Sequence, residues 1–557
     1  MPDALQTERC EVCLVGTGAA GGILAYRLAM AGLSVLSLEQ GSYITDSYFT
    51  NELTPEQDPH FGIVADMPWP VEAKDHYLYG NPQAHALYAR EDETSTAARS
   101  HQVFVNRQIF RLNGKLNLWG GTSLRYAPRD FLGKQCGDSD ANWPIRYEDL
   151  APHYTAVERL IGVCGTREGL DELPDGEFLP PLPLRPADHI LLAAVKRIRD
   201  VPIRAIPNRK AVETRAEQVN RCPGCGDCAN GCRTGSVYKF SSRLLPHIAG
   251  RTNYRLLCGL KVVRLLRDAD TNRIHAAECL EVATGRPVRV EARTFVLCCG
   301  ALETPRILFN SRDESFPEGL ANSSGLVGCY LQDNIKAILG ASLLPLLGTR
   351  KRYELGSSDA LLIPRFVFGQ HGFRGGYQAQ YCHFLPKQPY YLDSIGKLPG
   401  WMKPHIARLI FRSLVALFFF GKPEAVRGNR VYPSRCCDKY GIPQVETEYV
   451  FHQNDLRMQE SMIRHGRRIL RTCRGVMISV FTDPRPGPSI HYAGTCRMAS
   501  SREGGVVNER LQSFDHPNLY LCDGGVIPEI SEKNLTLTIM ALAERLAAHL
   551  APIRGNP

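Results

Sequence analysis

The 557-residue sequence has no run of about 18 uninterrupted apolar residues, so nothing in it predicts a membrane-spanning helix. It has no block of five or six like charges either, which excludes a basic nucleic-acid arm and a polybasic membrane tag. Its net charge of +9 comes from 66 basic and 57 acidic residues spread along the chain, and adds only a weak preference for anionic ligands. The N-terminal stretch lacks the basic and apolar regions of a signal peptide, and a cytoplasmic protein is expected. In a reducing compartment the 19 cysteines are not expected to form disulfides. Most read as small buried hydrophobes, Cys13, Cys298, Cys299 and Cys522 among them.

What remains is an ordinary globular balance, 44% hydrophobic and 22% charged, on a chain long enough for two interleaved domains. The most apolar segment, Leu409 to Gly421, carries Arg412 and reads as a helix packed on the body, lining an entrance or inserting shallowly into a membrane surface.

The strongest local pattern is at the N-terminus. An apolar strand over residues 11–15 runs into Gly16-Thr-Gly18-Ala19-Ala-Gly21, a helix-period segment follows, and a second strand ends at Glu39. This is the strand–turn–helix–strand order of a dinucleotide site. Gly16 permits the tight turn, Gly18 admits a pyrophosphate to the backbone, and Gly21 lets helix and strand lie close. The helix N-terminus favours the phosphates, and Glu39 is spaced to accept from a ribose.

A second pattern, Cys222-x2-Cys225-x2-Cys228-x3-Cys232, has iron–sulfur spacing, but Arg233 stands where proline usually follows. An iron–sulfur cluster, zinc, and free or paired thiols all remain open. A cluster would send electrons to an acceptor protein.

Further segments carry a family resemblance. The stretch from Arg111 to Phe131, with Gly120, Gly121 and Thr122, resembles the second flavin-contacting segment of the glucose-methanol-choline (GMC) oxidoreductases. Residues 142–154, from Asn142 on, resemble the connection into the substrate domain of that family. Val262 and Val263 resemble positions on the adenine side. Gly300 to Arg306, Asn322 to Asn334 and Asn429 to Pro443 follow the same pattern. The C-terminal signature is closest: His491-Tyr-Ala-Gly-Thr-Cys-Arg-Met, then Asp523-Gly524-Gly, then Asn534-Leu-Thr536. Tyr492 and Leu535 stand where the family often has proline, which is expected to loosen the backbone locally.

The resemblance implies an α/β fold: a Rossmann-like FAD-binding domain assembled from discontinuous segments, plus an α+β substrate domain with an antiparallel sheet. The FAD-binding parts are expected at residues 1–150, 251–334 and 481–557. Residues 151–250, with the cysteine loop, and 335–480 are expected to form the substrate domain. It implies oxidation of an alcohol, a sugar, amino sugar or natural-product intermediate, by hydride transfer to FAD. His491 is the implied base, Asn534 its hydrogen-bonding partner, and Asp523 an anchor for the ribityl or pyrophosphate part, with a helix-cap acid as its plainer reading. Histidine suits the base because its pKa lies near working pH. Two other readings are a lyase with a structural flavin and an electron-transferring subunit.

Overall fold

The computed structural model describes residues 6–49, 86–90, 92–97, 104–133, 143–226, 228–348, 359–368, 372–383, 399, 401–410, 413–483 and 485–551. Asn142 and Arg412 lie outside them. The fold is α/β and is organised around two sheets.

The first sheet has seven strands, in the order Tyr254–Cys258, Val35–Glu39, Gln6–Val15, Pro287–Leu297, Ile274–Glu281 and Leu260–Arg267, with Leu519–Leu521 also on Pro287–Leu297. Gln6–Val15 pairs in parallel with both neighbours, and Leu519–Leu521 extends this parallel core. Pro287–Leu297 is long enough to serve two partners along the edge opposite Gln6–Val15. Its first half pairs antiparallel with Ile274–Glu281, and its last three residues pair with Leu519–Leu521. Val12, Cys13, Leu14 and Val15 are all buried, as expected of a strand covered on both faces. Helices Ala19–Met30, Tyr147–Ile161 and Thr536–Leu550 pack together over this sheet.

The second sheet is antiparallel, in the order Gly475–Phe481, Ile335–Leu343, Leu414–Gly421, Tyr377–His383, Leu361–Ile363 and Ile206–Pro207. One face is covered by the helix Gln453–Thr472, whose Met458, Met462, Ile469 and Leu470 join Leu339, Leu417, Phe419 and Tyr377 in a core. A Cβ on Gly466 of that helix would lie 2.9 Å from Leu339 and Phe419, so glycine permits the close approach.

The apolar segment read as a helix is therefore corrected. A helix does cover Lys403–Ile410, but Leu414–Gly421 is a strand in the interior of the second sheet. Leu417 and Phe419 face the helical layer, while Phe418 and Phe420 face the other way, and all four are buried. Burial on both faces removes the polar alternation that marks a strand, and periodicity alone cannot separate such a run from a buried helix.

Candidate active site

A cleft of about 410 Å³ opens between the two sheets and is lined by residues from both. One end is formed by the turn at Gly16 to Ala19, where the sequence pattern puts a dinucleotide. Gly16 has φ +94, and a Cβ there would lie 2.8 Å from the Cys298 carbonyl oxygen. A Cβ at Gly21 would overlap the carbonyl oxygen of Gly16, so Gly21 shapes the turn without lining the cleft. Gly18 and Gly300 have open space where a side chain would stand. Glu39 is buried at the end of its strand. Its carboxylate accepts from Thr17 Oγ1 at 2.6 Å, Thr17 N at 3.3 Å and Gly41 N at 3.0 Å. Burial raises its pKa against those bonds. Thr17, which ties this acid to the turn, was missed because the fingerprint leaves its position unspecified.

Gly120, Thr122, Gly300, Asp523, Gly524 and Thr536 also line the cleft. Asp523 Oδ2 accepts from Gly300 N at 2.9 Å and Thr304 Oγ1 at 2.6 Å, and Oδ1 accepts from Gly525 N at 2.7 Å. It caps the turn Gly524–Val526 and stands in the cleft wall as well. Two expectations need correction. Val262 faces the cleft but Val263 does not, since neighbouring strand residues point to opposite faces. Gly121 does not line it; a Cβ there would meet Val212 and Val237.

At the other end sits a chain of polar side chains. His491 Nδ1 lies 2.7 Å from Asn334 Oδ1. Asn334 Nδ2 is committed to the carbonyls of Gly421 at 2.8 Å and Ser531 at 2.9 Å, so its oxygen must face the imidazole. This assigns the histidine proton to Nδ1 and leaves Nε2 with a lone pair. Asn534 Nδ2 lies 3.2 Å from Nε2, and Asn534 Oδ1 accepts from Gln380 Nε2 at 2.7 Å. Burial, then the charges of Lys336 and Lys115, lower the His491 pKa to about 3, so the ring is neutral at ordinary pH.

The backbone around His491 is clamped. Ile490 has φ +63, a strained value for a β-branched residue. Asp333 bridges it, accepting from Ser489 N at 2.9 Å and His491 N at 2.7 Å. The Asn534 segment is held by Lys533, whose Nζ donates to Asp130 at 2.9 Å and Glu532 at 2.7 Å, all buried. Tyr492 does not loosen its surroundings. It is buried, donates to the Val105 carbonyl at 2.6 Å and accepts from Arg107 N at 3.1 Å.

The cysteine loop reaches the cleft wall through Gly226 and Ala229. Its thiols are not gathered as ligands: among the described residues no group of three His, Cys, Asp or Glu side chains could hold a metal ion. Cys228 and Cys232 are buried in an apolar cluster with Cys164, Val212 and Val237, and Cys222 packs against it. Also among the described residues, no helix is long and apolar enough to cross a membrane.

Two GMC oxidoreductase family models match, one over residues 208–335 and one over residues 425–543. Paromamine 6'-oxidase of Streptomyces fradiae is 27% identical over 97% of this chain and 91% of its own length. The 2-methyl-1,2-propanediol dehydrogenase of Mycolicibacterium austroafricanum is 26% identical over 98% of this chain and 95% of its own. The crystal structure of pyridoxine 4-oxidase from Mesorbium loti shares the fold, with a TM-score of 0.61 at 18% identity, covering 98% of this chain and all of that one.

Proposed function

Because the chain belongs to the GMC oxidoreductase family and is an FAD-dependent oxidoreductase acting on CH–OH groups, we propose that it oxidises a sugar or natural-product hydroxyl with His491 as the base. The names of its relatives support that substrate range, since they act on paromamine and on a small diol. The glycine turn, the open backbone at Gly18 and Gly300, and Glu39 fit the ADP half of FAD. Bound FAD supplies the hydride acceptor.

The observation that carries the reading is the fixed tautomer of His491. Its Nε2 lone pair faces the cleft and accepts from Asn534 Nδ2, a bond the substrate hydroxyl would replace, while Nδ1 is spent on Asn334. The substrate hydroxyl would donate to Nε2, and Asn534 Nδ2 would hold its oxygen. A base held near 3 cannot strip an alcohol in a separate first step. His491 therefore takes the proton as the C–H bond breaks, leaving the carbonyl product and an imidazolium. Gln380 keeps the Asn534 amide oriented throughout.

The test is anaerobic addition of a panel of alcohols and sugars to the purified flavoprotein. Bleaching of the flavin by a member of the panel is expected. His491→Ala should retain FAD and lose most of this reduction; near-normal reduction in that variant would remove His491 from the role. No bleaching by any compound, with flavin bound, would favour the lyase reading.

A further inference from the structure

The cleft holds an imbalance of charge that goes beyond its effect on His491. Four acids line it, and each is engaged: Glu39 with Thr17 and Gly41, Asp523 with Gly300 and Thr304, Glu303 with Arg306, and Asp359 with Lys210. Two lysines line it as well, Lys115 and Lys336, and neither forms an ion pair with a described residue. Asp333, the acid that acts on both, has its oxygens on the Ser489 and His491 amides.

Lys336 is the sharper case. Five other lysines are buried among the described residues, and every one has an acid partner: Lys210 with Asp359, Lys239 with Asp46, Lys261 with Asp438, Lys422 with Glu529, and Lys533 with Asp130. That is the rule for a buried charge, because an ammonium taken from water needs a compensating anion. Lys336 is 8% exposed and has instead two aromatic faces, with Nζ 5.3 Å from the ring centroids of both Phe418 and Phe420. Burial, with the Arg107 charge adding to it, lowers its pKa to about 8, which leaves it mostly protonated at neutral pH.

The two cations come from different segments. Lys115 follows Gly114, whose backbone packs on Gly18, and its ammonium lies over the Tyr492 ring, 3.9 Å from the centroid, where the Tyr492 face already occupies it. Lys336 belongs to the second sheet, opposite Phe420 in register, on the face that presents Gln380 to Asn534. It therefore looks toward the space in front of His491.

Resting on the alcohol-oxidation reading, we propose that Lys336 recognises a carboxylate on the alcohol substrate, so that the enzyme selects hydroxy acids over alcohols bearing an ammonium group. A single ammonium between two rings matches one negative charge. A phosphate would call for more donors than this wall presents.

The test uses three matched primary alcohols on the holoenzyme: para-hydroxymethylbenzoate, para-xylylene glycol and para-aminomethylbenzyl alcohol. Their dissociation constants are read from the perturbed flavin spectrum, or by calorimetry, in wild type, Lys336→Met and Lys336→Arg. The carboxylate should bind roughly tenfold or more tightly than the ammonium compound, as one charge-assisted contact requires. Lys336→Met should abolish that ranking and Lys336→Arg should keep it. No binding of the carboxylate, equal or tighter binding of the ammonium compound, or a ranking that survives in Lys336→Met would overturn the assignment. Should Lys336→Met lose its flavin, the wild-type ranking and Lys336→Arg still decide. Anaerobic bleaching reads the other question separately. A carboxylate preference with no reduction by these or other alcohols sinks the oxidation reading alone; reduction without a charge preference sinks this one alone.

Discussion

Removal of the Asn334 side chain should slow the chemical step while leaving the cofactor in place. In the structure its oxygen is the acceptor for His491 Nδ1 at 2.7 Å, inside the protein. Asn334→Ala leaves a buried N–H without a partner, a loss of about 2 kcal/mol for the productive tautomer. The alternative tautomer, protonated on Nε2, then competes, and its N–H points where the substrate proton must go. At 1.36 kcal/mol per tenfold, the rate of flavin reduction should fall by roughly 30-fold. Asn334→Asp supplies the acceptor again and adds a negative charge beside the ring, which favours the imidazolium. The His491 pKa should rise from about 3, bringing an acid limb into the pH profile that the wild type lacks over about pH 5–8. The assay is single-turnover anaerobic bleaching, followed by stopped flow across pH, with flavin content measured on each variant. Wild-type rates in Asn334→Ala at full flavin occupancy would refute the argument, as would an unmoved pH profile in Asn334→Asp. A merely structural role for Asn334 predicts no such shift.

Other expectations follow from the same geometry. The depressed pKa of His491 means that the unfolded chain binds a proton between about pH 6.5 and 3 that the native protein does not, so its contribution to stability is present above 6.5 and lost as pH falls. Thermal or urea unfolding of wild type should thus weaken relative to His491→Gln by ~1.4 kcal/mol per pH unit below 6.5, and a pH-independent difference would contradict it. Gly21→Ala must push the helix off the Gly16 carbonyl, at a cost of about 1–3 kcal/mol, and should lower both flavin content and melting temperature. Glu39→Ala should reduce FAD retention on gel filtration; unchanged occupancy would argue against its ribose role. Cys228→Ala and Cys232→Ala should each cost roughly 1 kcal/mol of packing and leave the visible spectrum unaltered. Loss of stoichiometric iron in either variant would restore the cluster reading.

The sequence made the dinucleotide end of the cleft legible because the geometry there is local. Gly16, Gly18, Gly21 and Glu39 lie within one strand–helix–strand unit; Gly16 and Gly21 each answer to a backbone carbonyl, and Gly18 leaves its backbone open to the cleft. His491 and Asn534 were legible only through a resemblance, since 43 residues separate them and no spacing rule joins them. The partners of that pair were not legible at all. Gln380 and Lys336 reach the cleft through the register of an antiparallel sheet, where each faces the same side as Phe418 and Phe420. A one-residue slip would turn them into the core under Gln453–Thr472. Val263 failed for the same reason on a smaller scale. Asn334 was noticed as part of a pattern, yet its task depends on the carbonyls of Gly421 and Ser531, which the chain brings from far away. The Leu414–Gly421 strand was misread because its two-sided burial hides the alternation.

The polar chain Gln380–Asn534–His491–Asn334 has a consequence for how the protein loses activity. Gln380 belongs to the second sheet, and Asn534 immediately precedes the helix Thr536–Leu550 that packs over the first. Partners 154 and 157 positions apart must meet for the base to hold its tautomer. Such distant closures come late in folding and are the first to open when a subglobal unit loosens. The glycine turn proposed to hold FAD stands on the parallel core of the first sheet, between Gln6–Val15 and Pro287–Leu297, and can outlast those closures. Mild denaturant should therefore yield a yellow but inert species, its flavin still seated and its histidine adrift, before the cofactor is released. Turnover then reports how the two sheets are docked, and flavin fluorescence reports the integrity of the first sheet.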